Sequence, residues 1–286
     1  MKNIQWFPGH MTKAMRMMSE NLSLVDGVVF VLDARCPAAS FNPKLKKLAN
    51  NKPVLYVLNK GDLADERADN LLKIIRESGA AALKLNAVNS SSKRDITGAI
   101  EKLVAEKRAR AQEKGYNKVF RFMVAGVPNT GKSTLINLLA GSKRAETGDK
   151  AGVTRGKQWI RCEGFELLDT PGTMPPAFEN QYLARHLAFV GSINDDILDM
   201  DDIALALLEE LGSKYPQRLA ERYGAEGGTP LEMLECVCKR RGFMLRGGEY
   251  DYERGERAVI DDFRKGKLGR ITLDTPDDVR GFSSAF

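Results

Sequence analysis

Short runs of β-branched and other apolar residues alternate along the chain with longer stretches whose apolar positions recur every three to four residues. Residues 27–35, 53–59 and 120–126 are nearly unbroken apolar runs that stop at polar residues, the pattern of strands buried on both faces. A weaker run covers 81–86, and 158–162 with 165–168 predicts a hairpin turning at Glu163 and Gly164. Between these runs, 65–78 gathers Leu71, Leu72, Ile74 and Ile75 on one side and closes at Gly79. Residues 95–113 do the same with Ile96, Ile100, Leu103 and Val104, and a helix over 134–140 follows the run 120–126 directly. Strands alternating with helices predict an α/β fold, a mostly parallel sheet with helices on both faces.

Beyond about residue 175 the pattern is helical only, with helices expected over 201–211, 216–223, 230–241 and 252–265. The third has its boundaries written in it: Thr229 can cap, Pro230 fits the first helical position, Glu232 completes a capping box and Gly242 ends the helix. The expected organisation is an α/β domain over 1–180 and a small all-α domain over 190–286.

Composition narrows this little. The chain has 286 residues, 43% hydrophobic and 29% charged, ordinary for a soluble protein of two domains. A net charge of +6 points to a polyanionic partner or to a plain basic bias. Cys36, Cys162, Cys236 and Cys238 are too scattered for a disulfide framework, and the 236/238 pair has no zinc spacing. No run of ~18 apolar residues predicts a membrane span, and the N-terminus lacks the apolar stretch of a signal peptide. A cytoplasmic location with reduced thiols is expected.

The chemistry lies in three segments. Gly126-Val127-Pro128-Asn129-Thr130-Gly131-Lys132-Ser133 matches a phosphate-binding loop, between an expected strand and an expected helix starting near Thr134. Its backbone N–H groups would cradle a β-phosphate, Lys132 would meet the β and γ oxygens, and Ser133 would supply a hydroxyl to Mg²⁺. Asp169-Thr170-Pro171-Gly172 follows the run 165–168: Asp169 can serve Mg²⁺, and the Gly172 N–H can sense a γ-phosphate. Thr154 is the candidate to complete the Mg²⁺ shell, with Thr147 as the alternative. Asn59-Lys60-Gly61-Asp62 leaves the run 53–59. The Asp62 carboxylate accepts from the two donors of guanine, which adenine lacks, a discrimination of ~10⁴ or more. Asn59 would tie the base loop to the phosphate loop, the stem of Lys60 would cover the base, and the Asn86-Ala87 segment would offer a backbone N–H to guanine O6. The sequence therefore reads as a GTP/GDP site whose base-reading motif precedes its phosphate loop. One circular permutation of a P-loop GTPase domain accounts for that order, with 95–113 joining the former termini.

Permuted order together with Trp6-Phe7-Pro8-Gly9-His10-Met11, Arg240-Arg241-Gly242 and the segment 262–271 resembles the ribosome biogenesis GTPase A family over nearly the whole chain. The resemblance implies a GTP hydrolase that assists late assembly of the bacterial large ribosomal subunit, works when bound to that particle and contacts ribosomal RNA through its helical domain. It implies a catalytic place for His10, because Thr173 stands where other GTPases carry a water-positioning glutamine; the alternative is that His10 only orders its loop. It also implies that Asn129 helps to hold K⁺ near the phosphates. On the RNA side, 239–270 has ten basic and six acidic residues, a net of +4. Lys239, Arg240, Arg241, Arg264, Lys265, Lys267 and Arg270 are the candidate RNA contacts. Tyr250, Tyr252 and Phe243 can stack on bases, although Tyr252, Val259 and Phe263 also fit a core stripe. No membrane partner is expected, and off the ribosome a monomer is. A signalling-type GTPase whose helical domain binds a protein is the alternative function, and a scaffold with negligible hydrolysis a third.

Overall fold

The computed structural model describes residues 4, 9–49, 52–141, 158–174, 178 and 180–282. The chain forms two compact units, Gln5–Phe178 with Thr272–Phe286, and Glu179–Ile271 with Met1–Ile4.

The first unit runs α1 (Gly9–Asn21), β1 (Gly27–Asp33), α2 (Pro37–Ser40), α3 (Pro43–Leu48), β2 (Val54–Asn59), α4 (Arg67–Glu77), β3 (Ala81–Lys84), α5 (Ser92–Leu103), α6 (Ala105–Glu113), β4 (Phe120–Ala125), α7 (Lys132–Ala140), β5 (Gln158–Arg161) and β6 (Phe165–Asp169). The strands form one sheet in the order β3-β2-β1-β4-β6-β5, parallel except for the pairing of β5 with β6. Every residue of β1 is buried. Val28, Phe30 and Leu32 enter one core with Tyr56, Leu58, Leu71 and Ile75, while Val29 and Val31 enter the other with Leu55, Val57, Ile96, Ile100, Leu135 and Ile136. Two apolar faces on one strand explain its unbroken apolar run. Register places Asp33 beside Asn59, Phe30 beside Ala125, and Val124 beside Asp169, so the carboxyl ends of β2, β1, β4 and β6 share one edge. Ligand sites of open parallel sheets form at that edge.

The helix expected over 95–113 is two helices. Val104 breaks it at φ −118°, ψ 10°, and its side chain is buried. The break keeps Val104 in the core while α6, which buries nothing, continues as a polar helix. Helices α1, α2 and α3 were not legible in the pattern; α2 and α3 are short and begin with Pro37 and Pro43.

The second unit holds α8 (Gln181–Phe189), α9 (Met200–Lys214), α10 (Pro216–Tyr223), α11 (Pro230–Arg241) and α12 (Tyr252–Arg264) around a core that includes Leu207, Leu208, Leu211, Leu234, Val237, Val259 and Phe263. Helix α11 has the capping box of Thr229 and Glu232, and its end at Gly242 is left-handed, φ 67°. Past it, Met244 and Tyr250 form an antiparallel bridge.

The expected helical domain reached 286, but from Thr272 the chain rejoins the first unit. Leu273 N donates to Arg35 O at 2.7 Å, Asp274 Oδ2 accepts from Ala38 N at 2.6 Å and Ala39 N at 3.1 Å, and Val279 of α13 (Pro276–Arg280) enters the core with Leu71 and Ile75. These three groups find their partners on the first unit's elements, which is why the boundary falls at Thr272.

Candidate nucleotide site

The phosphate loop leaves β4 and enters α7, and its glycines are demanded by neighbours. Gly126 has φ 154°, and a Cβ there would lie 2.4 Å from Val31 O; at Gly131, φ 87°, it would lie 2.3 Å from Asn59 Nδ2. Inside the loop, Thr130 Oγ1 and Lys132 Nζ both donate to Val127 O, at 3.2 and 2.8 Å. Lys132 is buried. Burial outweighs the attraction of Asp169 and, with repulsion from Lys60, brings its ammonium down to about 8. Ser133 and Thr134 follow in the first turn of α7, both half-buried.

The base loop is fastened to this frame. Asn59 Nδ2 donates to Thr130 O at 2.9 Å, and Asn59 Oδ1 accepts from Ala87 N at 2.9 Å. One buried amide thus joins the base motif, the phosphate loop and the 86–87 segment, the first of which joins was expected. In the segment expected to offer a backbone N–H to guanine O6, the Ala87 N–H is engaged by Asn59. Asn86 shapes its own turn, with its Oδ1 accepting from Val88 N at 2.9 Å and its carbonyl from Ser92 Oγ at 2.8 Å. Lys60 Nζ donates to Asn129 O at 2.6 Å, and both residues have φ 59°. Asp62 is exposed beyond them.

Asp169 ends β6, 1% exposed. The segment after it lies on the phosphate loop: Thr170 Oγ1 donates to Val124 O at 2.7 Å, Thr173 N donates to Gly126 O at 3.2 Å, and a Cβ at Gly172 would lie 2.7 Å from Pro128 Cα. Ser133 and Asp169 bring hard oxygen donors to the glycine-lined loop, a donor set that fits Mg²⁺. Thr154 and Thr147 lie outside the described residues. His10 is in the first turn of α1, and its side chain lies outside the described residues too. Among the described residues no group of three His, Cys, Asp or Glu could hold a metal by itself, and no helix is long and apolar enough to cross a membrane.

Sequence reasoning missed Asp33 and Arg35. They follow the apolar run of β1, where charges read merely as its end, yet both are buried and form a bidentate pair with contacts of 3.0 and 2.9 Å. Lys60 Nζ lies 3.2 Å from Asp33 Oδ2. Burial raises the Asp33 carboxyl, but Arg35 and Lys60 outweigh it and hold it well below the usual carboxylate range.

On the helical unit the candidate RNA residues divide. Arg264 donates to Phe189 O, Ala188 O and the Asp195 carboxylate, at 3.0, 2.8 and 2.7 Å. Arg241 pairs with Asp262, and Lys267 Nζ lies 3.4 Å from the same carboxylate. Asp262 is buried and also accepts from Arg222 and Tyr223, so these cations answer a structural need. Lys265 pairs with Asp261 at 2.6 Å. Lys239, Arg240 and Arg270 are exposed, with no ion pair among the described residues.

A family model described as a 50S ribosome-binding GTPase matches residues 121–222, a span that opens at the phosphate-loop strand and leaves Asn59–Asp62 upstream. The chain is 41% identical over 280 residues to ribosome biogenesis GTPase A of Bacillus cereus, covering 96% of this chain and 95% of that one. It belongs to the ribosome biogenesis GTPase A family. The family protein of Priestia megaterium is likewise 41% identical, over 96% of this chain and 98% of that one. Among solved structures, a GDP-bound YlqF aligns with a TM-score of 0.65 at 26% identity, over 91% of this chain and 99% of that one. GNP-bound YlqF from T. maritima aligns with a TM-score of 0.63 at 27% identity, over 93% and 99%. The protein is a circularly permuted P-loop GTPase, a GTP hydrolase of this family.

Proposed function

We propose that this GTPase serves late assembly of the large ribosomal subunit in the cytoplasm, binding GTP at the edge shared by β2, β4 and β6 and docking on ribosomal RNA through its helical unit. The observation that carries the nucleotide site is Asn59, whose one side chain joins the base motif to the phosphate loop at 2.9 Å. Asp62 reads guanine, Asn86 and Ala87 shape the base pocket, and the stem of Lys60 covers the base. The N–H groups of Asn129, Thr130, Gly131, Lys132, Ser133 and Thr134 and the Lys132 ammonium hold the phosphates. Ser133, Asp169 and Thr154 are the side chains for Mg²⁺, which when bound neutralises charge on the β and γ oxygens. Asn129 is the residue for K⁺. Gly172 offers its N–H to the γ-phosphate, and hydrolysis, which removes that contact, frees the segment pressed on Pro128. Thr173 has no amide or carboxylate to orient water, and the family resemblance gives that role to His10. The RNA face is carried by Lys239, Arg240 and Arg270, the candidates with no ion pair among the described residues, with the exposed Lys265 beside them; Arg241, Arg264 and Lys267 support it by holding the helical unit together. Off the ribosome the protein acts as a monomer.

The test is GTP turnover by the pure protein in K⁺ buffer and in Na⁺ buffer, alone and with purified large subunits. Stimulation by the particle supports the assembly reading. Turnover unchanged by mature or immature particles sinks it in favour of a protein partner for the helical unit. Equal rates in the two buffers would remove K⁺ from the site.

A further inference from the structure

The buried pair Asp33–Arg35 has no place in the reading above, yet it lies one contact from the phosphate loop. Lys60 Nζ bridges the gap, 3.2 Å from Asp33 Oδ2 and 2.6 Å from Asn129 O. Asn129 and Lys60 both stand at φ 59°, a state that asparagine tolerates and lysine adopts less readily, so the contact between them ties two left-handed backbone positions together. A lysine alone would wander, since its stem is flexible and its ammonium is a point charge. Asp33 gives it one position.

Asp33 is itself fixed. Its N–H donates to Ser40 Oγ at 3.0 Å, and that hydroxyl donates to Cys36 O at 2.7 Å, closing the turn between β1 and α2. Arg35 engages both oxygens of Asp33, and the Arg35 carbonyl accepts from Leu273 N at 2.7 Å. Next along the chain, Asp274 caps α2 through Ala38 N and Ala39 N. The returning segment 272–274 therefore clamps the turn that carries Arg35.

We infer that Asp33 is a positioning residue of the nucleotide site: through Lys60 it presets the phosphate loop, and Arg35 with the segment 272–274 keeps it in place. The inference rests on the reading of Asn59–Asp62 and Gly126–Ser133 as that site. Asp33 touches no substrate, so its loss should loosen retention of nucleotide and leave guanine specificity intact.

The experiment measures release of a fluorescent GDP analogue by stopped flow, with thermal melting as the check on folding. Asp33→Asn should speed release about 10-fold, within the range found when a supporting partner is removed. Because it also leaves Arg35 without its counter-charge, the paired variant Asp33→Asn with Arg35→Met is measured beside it. That variant should still release GDP faster than the wild type. Asp274→Ala should speed release about 3-fold, and add nothing in the Asp33→Asn background. A cycle with Lys60→Met separates positioning from a general loss of structure. If Asp33 works through Lys60, the double variant is no faster than Lys60→Met alone; if the two effects multiply, the inference is overturned. Wild-type release by the folded paired variant overturns it as well. Wild-type release by Lys60→Met overturns it too, whereas failure of the wild type to bind the GDP analogue would sink the nucleotide-site reading beneath it. Retained preference for guanine over xanthine in Asp33→Asn, and its loss in Asp62→Asn, supports the assignment of the first to positioning and the second to recognition.

Discussion

Lys132 carries its charge in a buried place, at a cost that the proposed phosphate contact would offset. Its ammonium sits at about 8 in the free protein, against 10.5 ordinarily, because burial outweighs the pull of Asp169. Bound phosphate favours the charged form, so nucleotide binding should take up as much as about one proton near pH 8.5. Affinity should fall as pH climbs above 8. In the free protein the sign is opposite: between 8 and 10.5 the unfolded chain binds more protons, so stability rises with pH across that window. Calorimetry of GDP binding in buffers of different ionisation heat reads the uptake, and its absence would separate Lys132 from the phosphates. Gly172 makes a second residue-level prediction. An alanine Cβ there meets Pro128 backbone atoms at 2.7 and 2.8 Å, and neither can yield cheaply. Gly172→Ala should hold GDP nearly normally but hydrolyse GTP about 10–100-fold more slowly, the scale of a small misplacement near the chemistry. A single-turnover assay beside a GDP titration measures both halves, and unchanged turnover would remove the segment from the mechanism.

Among the elements, what could be read in advance was what a local pattern encodes. The apolar run of β1, the glycine-bounded phosphate loop and the Thr229–Glu232 box each carry their own explanation within a few residues. The join made by Asn59 could be anticipated because two motifs were visible and had to meet. Asp33 and Arg35 could not, because a charge after an apolar run looks the same whether it faces water or a buried partner; only the pairing of β1 with β2 shows which. The break at Val104 was hidden too, since a helix and two helices on one line share a periodicity. In the helical unit, Glu256 is an acid on the buried face of α12. Burial first, then a hydrogen bond and repulsion from Asp201, with Glu253 and Asp199 adding to it, raise its carboxyl to about 8. The folded unit then holds a proton that the unfolded chain gives up near 4.5, so this contribution to stability is lost as pH rises towards and through 8. Glu256→Gln should melt higher than the wild type at pH 8.5, by about 4–8 °C for each kcal/mol regained, and the gap should close at about pH 5. An equal gap at both pH values would contradict the buried proton.

For the whole molecule, the net charge of +6 says less than its distribution. Arg264, Arg241 and Lys267 are engaged inside the helical unit, whereas Lys239, Arg240 and Arg270 face solvent. Replacing Lys239 and Arg240 by alanine should weaken binding to the large subunit and lower the slope of log affinity against log salt by about 1 for each phosphate no longer neutralised. Arg264→Ala should lower the melting temperature. If Lys239 and Arg240 variants bind with an unaltered salt slope, the RNA-facing surface lies elsewhere.

The return of the chain at Thr272 also sets a schedule for the protein's own synthesis. The segment that clamps the Arg35 turn is translated after the whole helical unit, so the GTPase unit receives Leu273, Asp274 and the buried Val279 last. A nascent chain stalled before Thr272 would carry every nucleotide motif and the whole helical unit while still lacking that clamp.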